Sequence, residues 1–270
     1  MPTLNQGRFI ERAIRSVLDQ RFEGLEFIIV DGGSTDETID IIRRYEDGVD
    51  WWVSEPDGGQ TEALAKGFSR AGGDVVAYLN SDDYYLPAAF ETALTALDRS
   101  RAGWVAGTAR NVDHRGGPTH EGEAWVPAPP ESLEMPPRGR HWWLLRHWAV
   151  PQPATFWRAE LFESYGGFRL DMEYAFDVEF MLRLAFAGDL PLLLPDATLA
   201  VRFLHPAAKS YDTRPWQREY ELIRRLYAPK LTRRERLLLR AGEVAWPPRP
   251  VIERLHRLRA SRARTAHGRR

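Results

Sequence analysis

Phe9, Ile10, Ala13, Ile14, Val17 and Leu18 recur at helical spacing and share one face, which predicts an amphipathic helix over about 7–20. Gly24 interrupts the pattern. Leu25–Val30 then forms an apolar run of strand length that ends at Asp31-Gly-Gly-Ser-Thr-Asp36. Ser34 and Glu37 stand at capping-box spacing for a helix reaching about Tyr45. Trp51–Val53 reads as a short strand, Glu55-Pro-Asp-Gly-Gly59 as a turn, and roughly 60–70 as a helix. The partly β-branched run Val75–Leu79 is a buried strand, and Pro87 opens a helix to about Asp98. Strands alternating with helices predict an α/β fold with a mixed, mainly parallel sheet flanked by helices. Only six residues precede the first helix, so the first strand is expected to be short or truncated.

Beyond Gly103 the pattern changes. Trp104–Ala106 and Ala124–Val126 fit antiparallel additions to the sheet around the polar stretch Asn111–Gly122, and five prolines fall in 127–140, an expected crossing loop or lid. His141–His147 reads as a short aromatic helix, Ala154–Phe156 as a strand and Ala159–Ser164 as a helical turn before Gly166-Gly167. Phe176, Phe180, Leu184 and Ala187 mark a helix over 176–187, and Ala197–Leu204 is the last clear strand. C-terminal helices follow at Trp216–Tyr227, Leu231–Gly242 and Val251–Arg264.

Composition narrows the chemistry. The 270 residues include no cysteine, which excludes disulfides, thiolate metal sites and cysteine nucleophiles and suits a reducing compartment. No apolar run reaches transmembrane length and the N-terminus lacks a signal-peptide pattern, so the expected location is cytoplasmic, including the inner face of the cell membrane. Ten tryptophans either line a groove or fill the core. The net charge of −1 hides an asymmetry: residues 230–270 hold 13 Lys/Arg against 3 Asp/Glu, leaving 24 against 35 elsewhere. That basic tail fits an anionic membrane surface, or packing on an acidic protein body. No recognition motif accompanies the charge, so nucleic acid is not an expected partner.

Asp82 and Asp83 follow the strand 75–79 directly. Adjacent carboxylates at a strand exit repel one another, and either a hard cation compensates them or they form a solvated acidic turn. Asp31 also ends a strand, where its carboxylate either accepts hydrogen bonds from a nucleoside or caps the next helix. Asp57, beside Gly58-Gly59, is either a ligand contact or a turn former. Lys66 points either back to this region or to solvent.

Pro2-Thr-Leu-Asn-Gln6, Ile28–Asp36, Ser54–Gln60, Tyr78–Asp83, Pro151-Gln-Pro-Ala154, Gly166-Gly-Phe168 and Asp177–Arg183 together resemble, in order, the family 2 glycosyltransferases of GT-A fold that build bacterial polysaccharides. The resemblance spans about the first 205 residues. It implies inverting transfer of a sugar from a nucleotide diphosphate, a UDP-sugar favoured, to a hydroxyl of a glycan or lipid-linked glycan, with Mg or Mn. It places Pro2, Thr3, Asn5, Asp31 and Asp57 on the nucleoside, Asn80 and Asp82 on the ribose, and Asp82, Asp83 and His205 on the cation. Asn80 stands where an acid is commoner, which suits an amide contact to ribose better than metal ligation. Asp177 occupies the position of the general base, with Glu173 and Glu179 as competitors. His147, Trp148 and Gln152 fit the acceptor side, and Arg183 either anchors its helix or pairs with the diphosphate.

The expected organisation is a glycosyltransferase domain over 1–229, with a nucleotide-binding half 1–107 and an acceptor half 108–229, followed by the basic extension 230–270. A homo-oligomer is compatible with this reading. The alternatives are a nucleotidyltransferase, for which Asn5-Gln-Gly-Arg8 is a thin phosphate loop, and a nucleotide-sugar or glycan-binding protein without turnover.

Overall fold

The computed structural model describes residues 1–113, 117, 124–125, 145 and 150–237. Helix α1 (Gly7–Leu18) buries Ile10, Ala13, Ile14 and Val17, the stripe expected from its spacing. Strands β1 (Pro2–Thr3), β2 (Ile28–Asp31) and β3 (Trp51–Ser54) form a parallel sheet in the order β1-β2-β3. Two residues of β1 pair with β2, in agreement with the short first strand expected. The register sets Thr3 beside Asp31 and Asp31 beside Ser54, so three polar side chains meet at one sheet end.

Helix α2 (Thr38–Arg44) starts later than the capping box implies, and neither Ser34 nor Glu37 caps it. Ser34 instead hydrogen-bonds Asp31 and accepts the Asn5 N–H at 2.7 Å. Asp36 takes over at the helix start, accepting the Thr38 N–H at 3.0 Å and the Gly7 N–H at 3.0 Å. The local motif is overridden because the strand-end carboxylate competes for the same hydroxyl.

A second, mixed sheet runs β4-β8-β6-β9-β5. Its centre is β6 (Trp104–Asp113), parallel to β9 (Leu192–Leu204) and antiparallel to β8 (Thr155–Arg158) and β7 (Ala124–Trp125). The run read as strand 75–79 pairs only at β4 (Val75–Val76), antiparallel to β8. The Tyr78 carbonyl further on is held by the Gln152 side-chain amide at 2.7 Å. Strand β5 (Tyr84–Tyr85) pairs with β9 just past the acidic pair.

Helices α3 (Gln60–Phe68), α4 (Ala89–Asp98), α5 (Glu160–Tyr165), α6 (Phe176–Ala187) and α7 (Thr213–Tyr227) complete the described elements. Gly188 stops α6 with φ +106°, a conformation that costs glycine little. Two cores result. One joins α1, α2 and α4 to the sheets through Ile14, Ile29, Ile42 and Phe156. The other packs α6 and α7 on β8 and β6 through Trp104, Trp157, Phe180 and Tyr227. Trp104 and Trp157 are fully buried, so both serve packing rather than a groove. The second core is strongly aromatic: Phe162 packs on Phe180 with centroids 4.4 Å apart, and Tyr78 stacks parallel to Trp157 at 6.3 Å. That packing fixes how the first turn of α6 faces the chain beyond β4.

Candidate active site

Asp31 ends β2 with its carboxylate fully buried. It accepts the Gly33 and Ser34 N–H groups at 3.0 and 2.8 Å, the Ser54 hydroxyl at 2.6 Å and the Ser34 hydroxyl. Its turn-closing role is therefore realised, and Oδ1 carries a single one of these bonds. Asn5, at φ +51°, ties the same loop by accepting the Thr35 N–H at 2.8 Å. The neighbouring Thr3 is buried and its Oγ1 has no hydrogen-bond partner. Pro2 lies in the strand beside it. Asp57 accepts the Gly59 N–H at 2.9 Å and faces Gly32, whose added Cβ would stand 3.2 Å from its carboxylate. Burial, and then the nearby Glu62 and Glu173 charges, push the Asp57 carboxyl up. Asp31, Thr3 and Asp57 thus lie together at the ends of β1 and β2. Lys66 turns to Glu55 at 2.5 Å, a partner the sequence did not suggest.

The polar chain continues from α3. Gln60 donates through Nε2 to Asn80 Oδ1 at 2.7 Å and accepts from Lys209 Nζ at 3.2 Å. The Asn80 amide in turn hydrogen-bonds Asp83. Asp83 is buried, and its Oδ1 accepts the Phe203 N–H of β9 at 2.9 Å. Burial first, and the adjacent Asp82 second, hold the Asp83 carboxyl well above the ordinary range. Asp82 faces outward to His205 Nε2 at 3.1 Å. His205 is buried and packs on Phe9 with ring centroids 4.3 Å apart, which orients the imidazole.

Asp82 and His205 are brought together across 123 residues. Oxygen and imidazole donors beside a buried, poorly compensated carboxylate suit a divalent cation of the Mg or Mn type. Among the described residues no three acidic or histidine side chains converge on one point. A cation at Asp82 and His205 therefore needs further ligands from water or phosphate, a common arrangement for Mg.

Three acids cluster near the start of α6, and the structure separates them. Glu173 is committed to α3: it accepts the Gln60 N–H at 2.9 Å and the Thr61 hydroxyl at 3.2 Å, and it pairs with Lys209. Glu179 is buried, paired with Arg183 and hydrogen-bonded by the Tyr227 hydroxyl at 2.8 Å. Arg183 also donates to the Tyr165 carbonyl at 2.5 Å, so it anchors α6 to the end of α5. Among the described residues Asp177 has no ion pair of this kind; it accepts the N–H of the next residue, Val178, at 2.8 Å. Burial raises its carboxyl to about 6, against the pull of that N–H and the milder effects of Lys209 and Arg202. The Asp177 and Asp83 charges both bear on the buried Tyr78 hydroxyl, and Arg202 acts on both carboxylates, so the two acids lie within electrostatic reach of the same groups.

Gln152 does not stand in an open acceptor wall. It is buried and spends its amide on the Tyr78 carbonyl, because the antiparallel β4–β8 pairing carries the residues before β8 under the 78–83 segment. His147 and Trp148 lie outside the described residues. Sequence reasoning missed Gln60, Lys209 and Arg202 as parts of the site. Gln60 follows Asp57-Gly-Gly59 directly, and Lys209 follows His205 by four residues, so proximity to the motifs was the available signal.

The model of "Glycosyl transferase family 2" matches residues 1–165. The chain is 33% identical over 183 residues to an uncharacterized glycosyltransferase of Mycobacterium tuberculosis, covering 65% of this chain and 63% of that protein. It is 28% identical over 193 residues to chondroitin synthase of Pasteurella multocida, covering 70% of this chain and 18% of the synthase. The chain thus spans less than two thirds of the length of these relatives. Among solved structures, TarS 1-349 of S. aureus in complex with UDP-GlcNAc superposes with a TM-score of 0.63 at 19% identity, covering 84% of this chain and 64% of that one. The mannosyltransferase PcManGT of Pyrobaculum calidifontis, in complex with GDP-Man and Mn2+, gives 0.60 at 19%, covering 96% and 78%. At such identities the likeness concerns the fold, which is GT-A. Motifs and fold lead to one assignment: the chain belongs to glycosyl transferase family 2.

Proposed function

We propose that this protein transfers a sugar, with inversion, from a nucleotide diphosphate donor to a hydroxyl of a glycan or lipid-linked glycan. The single observation that carries the reading is the division of labour among the acids at α6. Glu173 and Glu179 are consumed by Lys209 and Arg183, which leaves Asp177 half-buried, raised to about 6 and without an ion-pair partner among the described residues. A carboxylate in that condition is a competent proton acceptor near neutral pH. Asp177 takes the proton of the attacking hydroxyl as the new glycosidic bond forms and the bond to the diphosphate breaks.

The donor lies along the polar chain from Asp31 to His205. Asp31, Thr3 and Asp57 receive the nucleoside, with Pro2 and Asn5 shaping the loop beside it; the unpartnered Thr3 hydroxyl supports a polar ligand there. Asn80, held by Gln60, presents an amide toward the ribose. Asp82 and His205 would hold Mg or Mn, with Asp83 behind them supplying field. When bound, that cation supplies Lewis-acid stabilisation of the departing diphosphate. A UDP-sugar is favoured, as in the TarS complex, although PcManGT is seen with GDP-Man. Residues 1–107 form the donor half and 108–229 the acceptor half, to which His147 and Trp148 belong. The basic extension 230–270 makes peripheral contact with a membrane surface carrying the acceptor; no helix among the described residues is long and apolar enough to cross one.

The test replaces Asp177 by Asn. Transfer from a panel of nucleotide sugars is expected to fall at least a hundredfold, while nucleoside diphosphate binding by calorimetry stays within about twofold. Undiminished transfer in the Asn variant removes Asp177 as base. A binding protein without turnover would show no nucleotide release in either form.

A further inference from the structure

Three backbone N–H groups just ahead of α6 share an acceptor from a distant element. Glu219, in the second turn of α7, places Oε1 2.9 Å from the Glu173 nitrogen and Oε2 2.8 and 2.7 Å from those of Tyr174 and Ala175. Ala175 is the N-cap residue of α6, and no side chain of its own segment caps that helix. The same three-residue segment reaches the donor half through the Glu173 carboxylate on α3. Asp177 follows two residues later. One carboxylate therefore holds the hinge between the acid that organises α3 and the acid that faces the acceptor.

We propose that Glu219 is a positioning residue for Asp177: its grip on residues 173–175 sets where α6 begins and so fixes the Asp177 carboxylate in the first turn. The inference rests on the reading of Asp177 as base. Its physical ground is the count of acceptors. A carboxylate offers about four lone pairs, enough for three N–H donors, whereas the amide of a glutamine offers one oxygen and turns an NH2 toward at least one N–H. At least one of the three donors is then left without an acceptor, and the segment must shift to satisfy it. Small displacements of a positioned group are costly in rate, up to about a hundredfold for roughly 1 Å. The groups that face Asp177 are the Val178 N–H on its own helix, Lys209 and Arg202 from β9 and the loop after it, and the Tyr78 hydroxyl beyond β4. A change at Glu219 replaces none of these groups, so it reaches Asp177 through the 173–175 backbone or through loss of the Glu219 charge, and Glu219→Asp, which keeps that charge, separates the two.

The experiment compares the full chain with Glu219→Gln, Asp177→Asn and Arg218→Ala, an exposed neighbour on α7. Transfer is measured from pH 5 to 9, UDP binding by calorimetry, and amide exchange on the peptide covering 172–178. For Glu219→Gln we expect kcat to fall roughly ten- to a hundredfold with UDP affinity held within about twofold. The acid limb should move down by about one pH unit as water reaches Asp177, and the 173–175 amides should lose protection. Should the Gln variant fail to fold, Glu219→Asp, which keeps the charge but withdraws it by one methylene, is read by the same measures. A wild-type acid limb, with a rate loss no larger than that of Arg218→Ala, overturns the inference while Asp177→Asn stays inactive. Full transfer in Asp177→Asn overturns the base reading instead, and the role of Glu219 with it.

Discussion

Asp177 should cost the folded protein stability, and the size of the cost follows from its burial. In the native fold its carboxyl titrates at about 6 against 3.8 for an ordinary Asp, a difference of about two units. Each unit corresponds to 1.36 kcal/mol, so the ionised form is disfavoured in the native state by about 3 kcal/mol. The native state binds the extra proton between pH 4 and 6, so this group makes stability decrease as pH rises through that window. Above pH 6 the full penalty is present, and below about pH 4 it is gone. Asp177→Asn removes the charge while keeping an oxygen to accept the Val178 N–H. The variant should therefore be more stable than wild type at pH 8 by up to about 3 kcal/mol, less whatever the unpaired amide nitrogen costs. For a chain of this size that is a rise in Tm of roughly 5–10 °C. Melting both proteins from pH 4.5 to 8 isolates the group, because the contribution of Asp83 and other acids cancels in the difference. The gap should open as pH rises from about 4 and level off above about 6, and the acid limb of transfer should fall near 6. A variant less stable than wild type at pH 8, with a pH-independent difference, would refute the argument that burial tunes this acid.

Two further outcomes test the donor side. Gly59 sits at φ +123°, and an added Cβ would stand 2.6 Å from Glu173 Oε1, so Gly59→Ala should cost about 1–3 kcal/mol in urea denaturation and loosen the Glu173 cap on α3. Mn2+ should raise Tm in the presence of UDP, with about 2.7 kcal/mol at a hundredfold excess over Kd, and His205→Ala should lose most of that gain because it removes one of two protein donors.

The difference between local and long-range signals explains which parts of the site could be read in advance. Asp31, Asp57, Asp82, Asp83, His205 and Asp177 are all strand ends, glycine turns or first-turn helix positions, and their neighbours marked each as a candidate. The roles of Glu173 and Glu179 were not. Their chemistry is decided by Lys209, 36 residues away, by Tyr227, 48 away, and by the α3 backbone, 113 away. The burial of Gln152 is long-range in the same way: the β4–β8 pairing carries it under Tyr78, where its amide holds the Tyr78 carbonyl. The Ser34–Glu37 spacing failed because a buried carboxylate at Asp31 offered Ser34 a stronger partner than a helix end does.

Periodicity alone determined α1, α6 and α7, since a buried stripe at 3.6-residue spacing has one stable arrangement against a sheet. Glycine and proline placement determined the turns, and the ordered set of motifs carried the family. Only the folded chain decided that the strand after Asp74 pairs antiparallel with β8, that His205 meets Asp82, and that Asp177, unlike Glu173 and Glu179, has no ion pair among the described residues. The physical reason is that burial and pairing are properties of surroundings: a carboxylate has the same local sequence whether an arginine or an empty cleft faces it, and that choice sets its charge, its energy and its use.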